Sequence, residues 1–232
     1  LIKETTMGQS LSLTASDGRQ LAAYLAEPAG TPKGGLVVVQ EIFGVNPHIR
    51  SVADRWAAEG YLVLAPALFD RQAPEIELGY TEADMQRGFG LMQAAGLDAP
   101  LLDIDAARAE LQRRLGAAGK VGVLGFCWGG LLSWLSACKV SGFAAAVPYY
   151  GGGIPNHAAL QPQCPVLAHF GERDHWIPTD SVRAFAAAQP SVQVHIYAAD
   201  HGFNCDQRGS YDAAAAQLAH ERSAAFLSQH LA

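Results

Sequence analysis

The sequence carries no surplus of basic charge: 16 lysines and arginines stand against 22 acidic residues, a formal net charge of −6. Nucleic acids and anionic membranes are gripped through basic stripes or patches, so neither is expected as a partner. An apolar run of roughly 18 residues, the length that crosses a bilayer, does not occur. The opening Leu1-Ile2-Lys3-Glu4-Thr5-Thr6 lacks the basic-then-apolar order of a secretory leader. The expectation is a cytoplasmic protein, monomeric or a small homo-oligomer, with a small-molecule partner. Cysteine is also scarce. Cys127, Cys138, Cys164 and Cys205 form no C-x-x-C pair, and in a chain of this length without secretory features a disulfide framework is not expected.

What the sequence has is apolar mass. Half of its 232 residues are hydrophobic, enough to bury a core as one domain over 1–232. Residues 9–27 alternate around Asp17-Gly18 and predict a β-hairpin. Leu36-Val37-Val38-Val39 is a short apolar run typical of a strand covered on both faces. Asn46-Pro47 reads as a helix cap and first turn, with apolar residues at helical spacing until Gly60. A strand at 61–65 follows, then an amphipathic helical stretch over 81–116, broken around Gly96 and Pro100, whose charges read mostly as a solvated face. Strands at 121–126, 143–149, 165–170 and 192–197 alternate with helices after 128, after Thr179 and from about Ser210 to Leu231. That order implies a mainly parallel sheet with helices on both faces and ligands beyond the carboxyl ends of the strands.

Chemistry is therefore sought at strand ends. Val121 to Phe126 runs into Gly125-Phe126-Cys127-Trp128-Gly129-Gly130 and then an apolar helix. This is G-x-C-x-G between strand and helix, the arrangement of a nucleophile elbow, where small neighbours are needed because the central residue sits in a strained turn. The following helix's N-terminus favours thiolate at Cys127. A phosphate-cradling turn is the alternative, but the Lys-Ser/Thr of a P-loop is missing.

Among eight histidines, His201 is best placed as the base, immediately after the last predicted strand. His48 and His157 sit in loop-like or helix-start contexts, His169 and His195 lie within strands, His220 and His230 on the terminal helix, and His175 adjoins Asp174. Asp174, in Gly171-Glu172-Arg173-Asp174 after another strand, is the carboxylate expected to orient the histidine. Asp180 reads instead as a helix N-terminal residue, and Asp200 is too near His201 in sequence to orient it. The order nucleophile, acid, histidine is that of an α/β-hydrolase.

Over nearly its whole length the chain resembles the dienelactone hydrolase, or carboxymethylenebutenolidase, family. The resemblance rests on Gln40-Glu41-Ile42-Phe43-Gly44-Val45-Asn46, on Gly125 to Gly130, on Gly171 to Asp174 and on His201-Gly202-Phe203. Phe69-Asp70-Arg71-Gln72-Ala73-Pro74 is similar too. It implies an α/β-hydrolase fold, a Cys127–His201–Asp174 triad, Glu41 as a glutamate that helps convert thiol to thiolate, and backbone amides of Ile42 and Trp128 as an oxyanion hole. Members acting on dienelactone hold its carboxylate with arginines. Arg87 and Arg208 are the candidates here, while position 205, arginine in some members, is Cys205.

The expected activity is metal-free and cofactor-free hydrolysis of a small ester or lactone through a thioester. Other activated esters, including phosphotriesters, are an alternative reading. A Cys-elbow amidotransferase or chaperone-like protein is another, though histidine often follows the cysteine there and Trp128 does so here. A non-catalytic redox sensor would use Cys127 with Cys205 as resolving thiol. His201 and Cys205, four residues apart, are too few ligands for catalytic zinc.

Overall fold

The structure, a computed structural model, describes residues 8–231; the Leu1–Thr6 stretch weighed as a leader lies outside them. Strands β1 (Gln9–Thr14) and β2 (Gln20–Ala26) form the expected hairpin, closed through Asp17 and Gly18. β3 (Gly35–Val39), β4 (Leu62–Pro66), β5 (Val121–Phe126) and β6 (Ala145–Tyr149) are buried along their whole length, as their unbroken apolar runs require. β7 (Leu167–Gly171) and β8 (Gln193–Tyr197) complete the sheet.

The strand order is β1-β2-β4-β3-β5-β6-β7-β8. The two pairings made by β2 are antiparallel and the rest of the sheet is parallel. From β3 the chain crosses to β4 on one side and later to β5 on the other, a reversal that opens a crevice at the strands' carboxyl ends. The register pairs Val39 with Gly125 and Phe126 with Tyr149. Residues just past β3 and β5 thus lie side by side, although most of a hundred residues separate them in sequence.

Helix α1 (Pro47–Ala58) begins where Asn46 Oδ1 accepts the Ile49 amide at 3.2 Å, with Pro47 in the first turn. The expected break in the stretch 81–116 falls at Gly96, between α2 (Glu82–Ala95) and α3 (Asp98–Leu115). Pro100 does not break the helix. It lies in the first turn of α3, where proline's missing N–H leaves no bond unmade. α4 (Trp128–Lys139) is buried over most of its length, and α5 (Thr179–Ala188) and α6 (Ala213–Leu231) follow.

One charge of α3 is not on a solvated face. Asp103 is fully buried and takes Arg71 Nε at 2.8 Å and Nη2 at 2.7 Å. Arg71 Nη1 also donates to Asp17 Oδ2 at 2.7 Å, so a single guanidinium ties the hairpin tip to α3. In the same segment, Phe69 stacks on Trp128 with ring centroids 5.4 Å apart, which supports the start of α4.

Candidate active site

Cys127 stands between β5 and α4 with φ 54° and ψ −116°, a conformation that side chains rarely adopt and that costs on the order of 1–3 kcal/mol. The glycines around it make the turn possible. A Cβ on Gly125 would lie 2.2 Å from the Gly129 carbonyl oxygen, and one on Gly129 would lie 2.4 Å from those of Val39 and Gln40. The elbow is anchored by the Cys127 amide donating to the Tyr149 carbonyl at 3.0 Å, and by the Cys127 carbonyl accepting from Gly130 and Leu131. Trp128 opens α4, so its amide belongs to the first turn, whose N–H groups have no partner within the helix. Ile42 and Trp128 line the same cavity as Cys127 and His201.

His201 Nδ1 donates to Asp174 Oδ2 at 2.7 Å. The other carboxylate oxygen of Asp174 accepts the Trp176 amide at 2.8 Å and the Ile177 amide at 3.2 Å, so the acid is fixed on both sides. Its rivals are engaged elsewhere. The Asp200 side chain holds the backbone N–H of His201 at 2.6 Å, and Asp180 is exposed at the start of α5, 3.4 Å from Arg183. Burial works against a charged His201, but the negative charge of Cys127 and the bonds to Asp174 and Cys127 outweigh it and raise the imidazole to about 10.

Behind this group lies a polar cluster, with Glu41 fully buried at its centre. Tyr80 Oη donates to Glu41 Oε2 at 3.3 Å. Asn46 Nδ2 donates to Tyr80 Oη at 3.2 Å, which leaves the hydroxyl proton free for the carboxylate. Arg208 Nη1 reaches Glu41 Oε1 at 3.4 Å, with its guanidinium 5.8 Å from the rings of both Phe43 and Tyr80. Burial and the Glu41 charge push the Tyr80 hydroxyl far up and the Cys205 thiol to about 11. Cys205 is therefore held as a neutral thiol, poorly suited to resolve a disulfide.

His48 is no surface histidine: it is fully buried, and burial lowers its pKa despite the charges of Glu41 and Asp206. Asp206 lies 3.4 Å from Nδ1, and neither buried ring nitrogen has a hydrogen-bond partner among the described residues. Glu41, His48 and Cys205 place donor atoms within 4.8 Å of one another. As a metal site the trio is compromised, since Glu41 already serves Arg208 and Tyr80.

The two arginines separate. Arg208 lines the cavity, while Arg87 is exposed on α2 and is not among the cavity's lining residues. Tyr150, which composition and spacing did not single out, follows β6 with φ 36°, is buried, and sets its ring edge-on to His201 at 5.2 Å. Its position just past a strand end was the available signal.

The dienelactone hydrolase family model matches residues 21–231. A Synechocystis protein assigned as a carboxymethylenebutenolidase is 39% identical over 85% of this chain and 87% of its own length. The carboxymethylenebutenolidase of Pseudomonas putida is 35% identical over 94% of this chain and 95% of its own. A solved Klebsiella pneumoniae structure assigned as a dienelactone hydrolase superposes with a TM-score of 0.84 at 32% identity, covering 96% of this chain and 99% of that one.

Proposed function

This chain belongs to the dienelactone hydrolase family, and on that premise we propose that it hydrolyses small esters or lactones through a thioester on Cys127. The observation that carries the reading is the elbow cysteine facing the same cavity as a His201 fixed by Asp174 at 2.7 Å.

The thiolate adds to the ester carbonyl carbon, forming a C–S bond, and the carbonyl oxygen takes the negative charge. Amides of Trp128 and Ile42 are the donors proposed to hold it. As the carbonyl re-forms, the bond to the leaving oxygen breaks and His201 gives that oxygen its proton. Water then attacks the thioester, His201 takes the water's proton, and the C–S bond breaks to release the acid and restore the thiolate–imidazolium pair. A thiolate is a weak base, so the scheme suits esters whose leaving group departs readily. Asp174 keeps the imidazole in the tautomer that both steps need.

Cys127→Ala tests this directly. It should lower kcat/KM for an activated ester by about a thousandfold or more, roughly 4 kcal/mol of transition-state stabilisation, with the circular dichroism spectrum unchanged. Activity within tenfold of the parent would overturn the assignment. Limited alkylation followed by peptide mass spectrometry should mark Cys127 first, because burial holds the Cys138, Cys164 and Cys205 thiols up at about 12, 11 and 11. First labelling at any of those three would count against the elbow.

A further inference from the structure

The cavity above Cys127 encloses about 520 Å³, within the range of sites that take a small organic molecule. Met85, Phe89, Met92, Leu97, Leu131 and Trp176 supply most of its wall beyond the reacting groups. Trp176 is 66% exposed, and its ring lies 5.9 Å from that of Phe89 in a tilted arrangement. A large aromatic surface left mostly open beside an apolar cavity can be covered by a guest, and methionine sulfur and aromatic faces both favour an aromatic one.

Charge points the same way. Among the described residues that line the cavity, Arg208 is the one arginine or lysine, and its charge is balanced by buried Glu41 at 3.4 Å. A guest that brought its own carboxylate would set two anions against one guanidinium and would have to displace Glu41 from Arg208 to be paired. Arg87, the second cation such a guest would want, is outside the cavity.

Resting on the cysteine-hydrolase reading, we propose that the site takes a neutral ester bearing an aromatic group seated against Phe89 and Trp176, in preference to a lactone or ester that carries a carboxylate. Arg208 then holds Glu41 in place, and the Phe89–Trp176 pair determines specificity.

Two nearly isosteric probes separate these outcomes: methyl 4-acetoxybenzoate, which is neutral, and 4-acetoxybenzoate, which is anionic. Phenol release from the acetyl ester is followed for both, each kcat/KM being divided by the probe's alkaline hydrolysis rate to remove the leaving-group difference. The neutral probe should be favoured by about tenfold or more. Vinyl acetate supplies an activated ester without a ring. Trp176→Ala and Phe89→Ala should each lower the ratio of neutral aromatic ester to vinyl acetate by roughly five- to tenfold. Trp176 is exposed, so its removal spares the core. Equal rates on the two benzoates, or faster turnover of the anion, with activity still lost in Cys127→Ala, would overturn the substrate class and leave the hydrolase reading standing. Unchanged aromatic-to-vinyl ratios in both variants would overturn the role of the pair. Turnover that survives in Cys127→Ala would overturn the hydrolase reading and the inference together.

Discussion

Two buried carboxylates in this fold meet arginine, and they are built differently. Asp103 receives Arg71 through two short bonds of 2.7 and 2.8 Å in a fork geometry, and the same guanidinium is anchored again on Asp17. Glu41 receives Arg208 through one long contact of 3.4 Å, and its other oxygen takes only the 3.3 Å contact from Tyr80. The first pair joins a hairpin tip to a helix. The second stands at the wall of the cavity that holds Cys127. A bidentate pair fixes both distance and orientation, whereas a single long contact fixes charge balance and leaves geometry free. The first suits a lock, and the second a site that must accommodate a guest.

The largest effect that tests this contrast is on stability. Arg71→Ala leaves Asp103 buried without a counter-charge and frees the hairpin tip, so urea unfolding should show a loss of about 3–5 kcal/mol. Ester turnover at low temperature should stay within about threefold. A loss below about 1 kcal/mol would mean that the fork geometry adds little, and the contrast would fail.

Glu41→Gln is the matching change in the other pair. It keeps the shape and removes the charge that balances Arg208. Stability should change by about 1 kcal/mol, while the preference for the neutral over the anionic benzoate should narrow by about tenfold, roughly 1.4 kcal/mol, because the guanidinium becomes free to pair with a substrate carboxylate. A preference that stays the same would show that Arg208 is not the charge the substrate feels.

The smallest effect comes from a third arrangement, in solvent. On the outer face of α3, Arg113 binds Glu110 through two bonds of 2.8 Å and Arg114 binds it at 2.7 Å. The Arg113 bonds lead in lowering the Glu110 carboxyl to about 2, with Arg114 assisting against partial burial. A depressed carboxyl contributes stability above its unfolded value near 4.5, and the contribution fades as pH falls through about 2. Water and salt screen the cluster, so Glu110→Gln should cost less than about 1 kcal/mol at neutral pH. The urea midpoints of the two proteins should converge below about pH 2, and a gap that persisted there would assign the stabilisation to something other than charge.

Much of the candidate site is legible in the sequence. The elbow could be read because its requirements are local: small residues on either side of Cys127, a buried strand before it and an apolar helix after it. His201 and Asp174 were legible for a related reason, since each follows directly on a strand, and parallel strands deliver their carboxyl ends to one edge. The break between α2 and α3 was placed well at Gly96, but Pro100 was misjudged, because proline interrupts a helix only beyond its first turn. Asp103 is the buried exception among the mostly solvated charges of its helix. Nothing in the pattern of 98–115 shows that Arg71, on a distant segment, arrives over that face.

The arginines show where a sequence pattern stops being informative. Arg87 and Arg208 carried equal weight by resemblance, yet α2 turns Gly88 toward Ile42, where an added Cβ would meet the carbonyl oxygen at 2.3 Å, and leaves Arg87 outside. A helix rotates about 100° per residue, so one position decides between cavity and solvent. Arg208 is turned inward beside Gly202, whose φ of 75° and missing side chain leave room for the guanidinium; a Cβ there would lie 2.6 Å from Nη1. Tyr80 and Tyr150 carry no sequence signal of their own, because each belongs to a different segment and only their convergence on Glu41 and His201 gives them a setting.

By itself the sequence determined the succession of strands and helices, the strand-to-helix turn at Cys127 and the placing of Asp174 and His201 just past strands, since each of these depends on residues close by in the chain. The tertiary structure alone decided that Glu41 would neutralise an arginine 167 positions away, and that the second candidate cation would be left in solvent. Charge balance in a cavity depends on which distant segments the strand order and helix rotations bring together, and no local pattern encodes those.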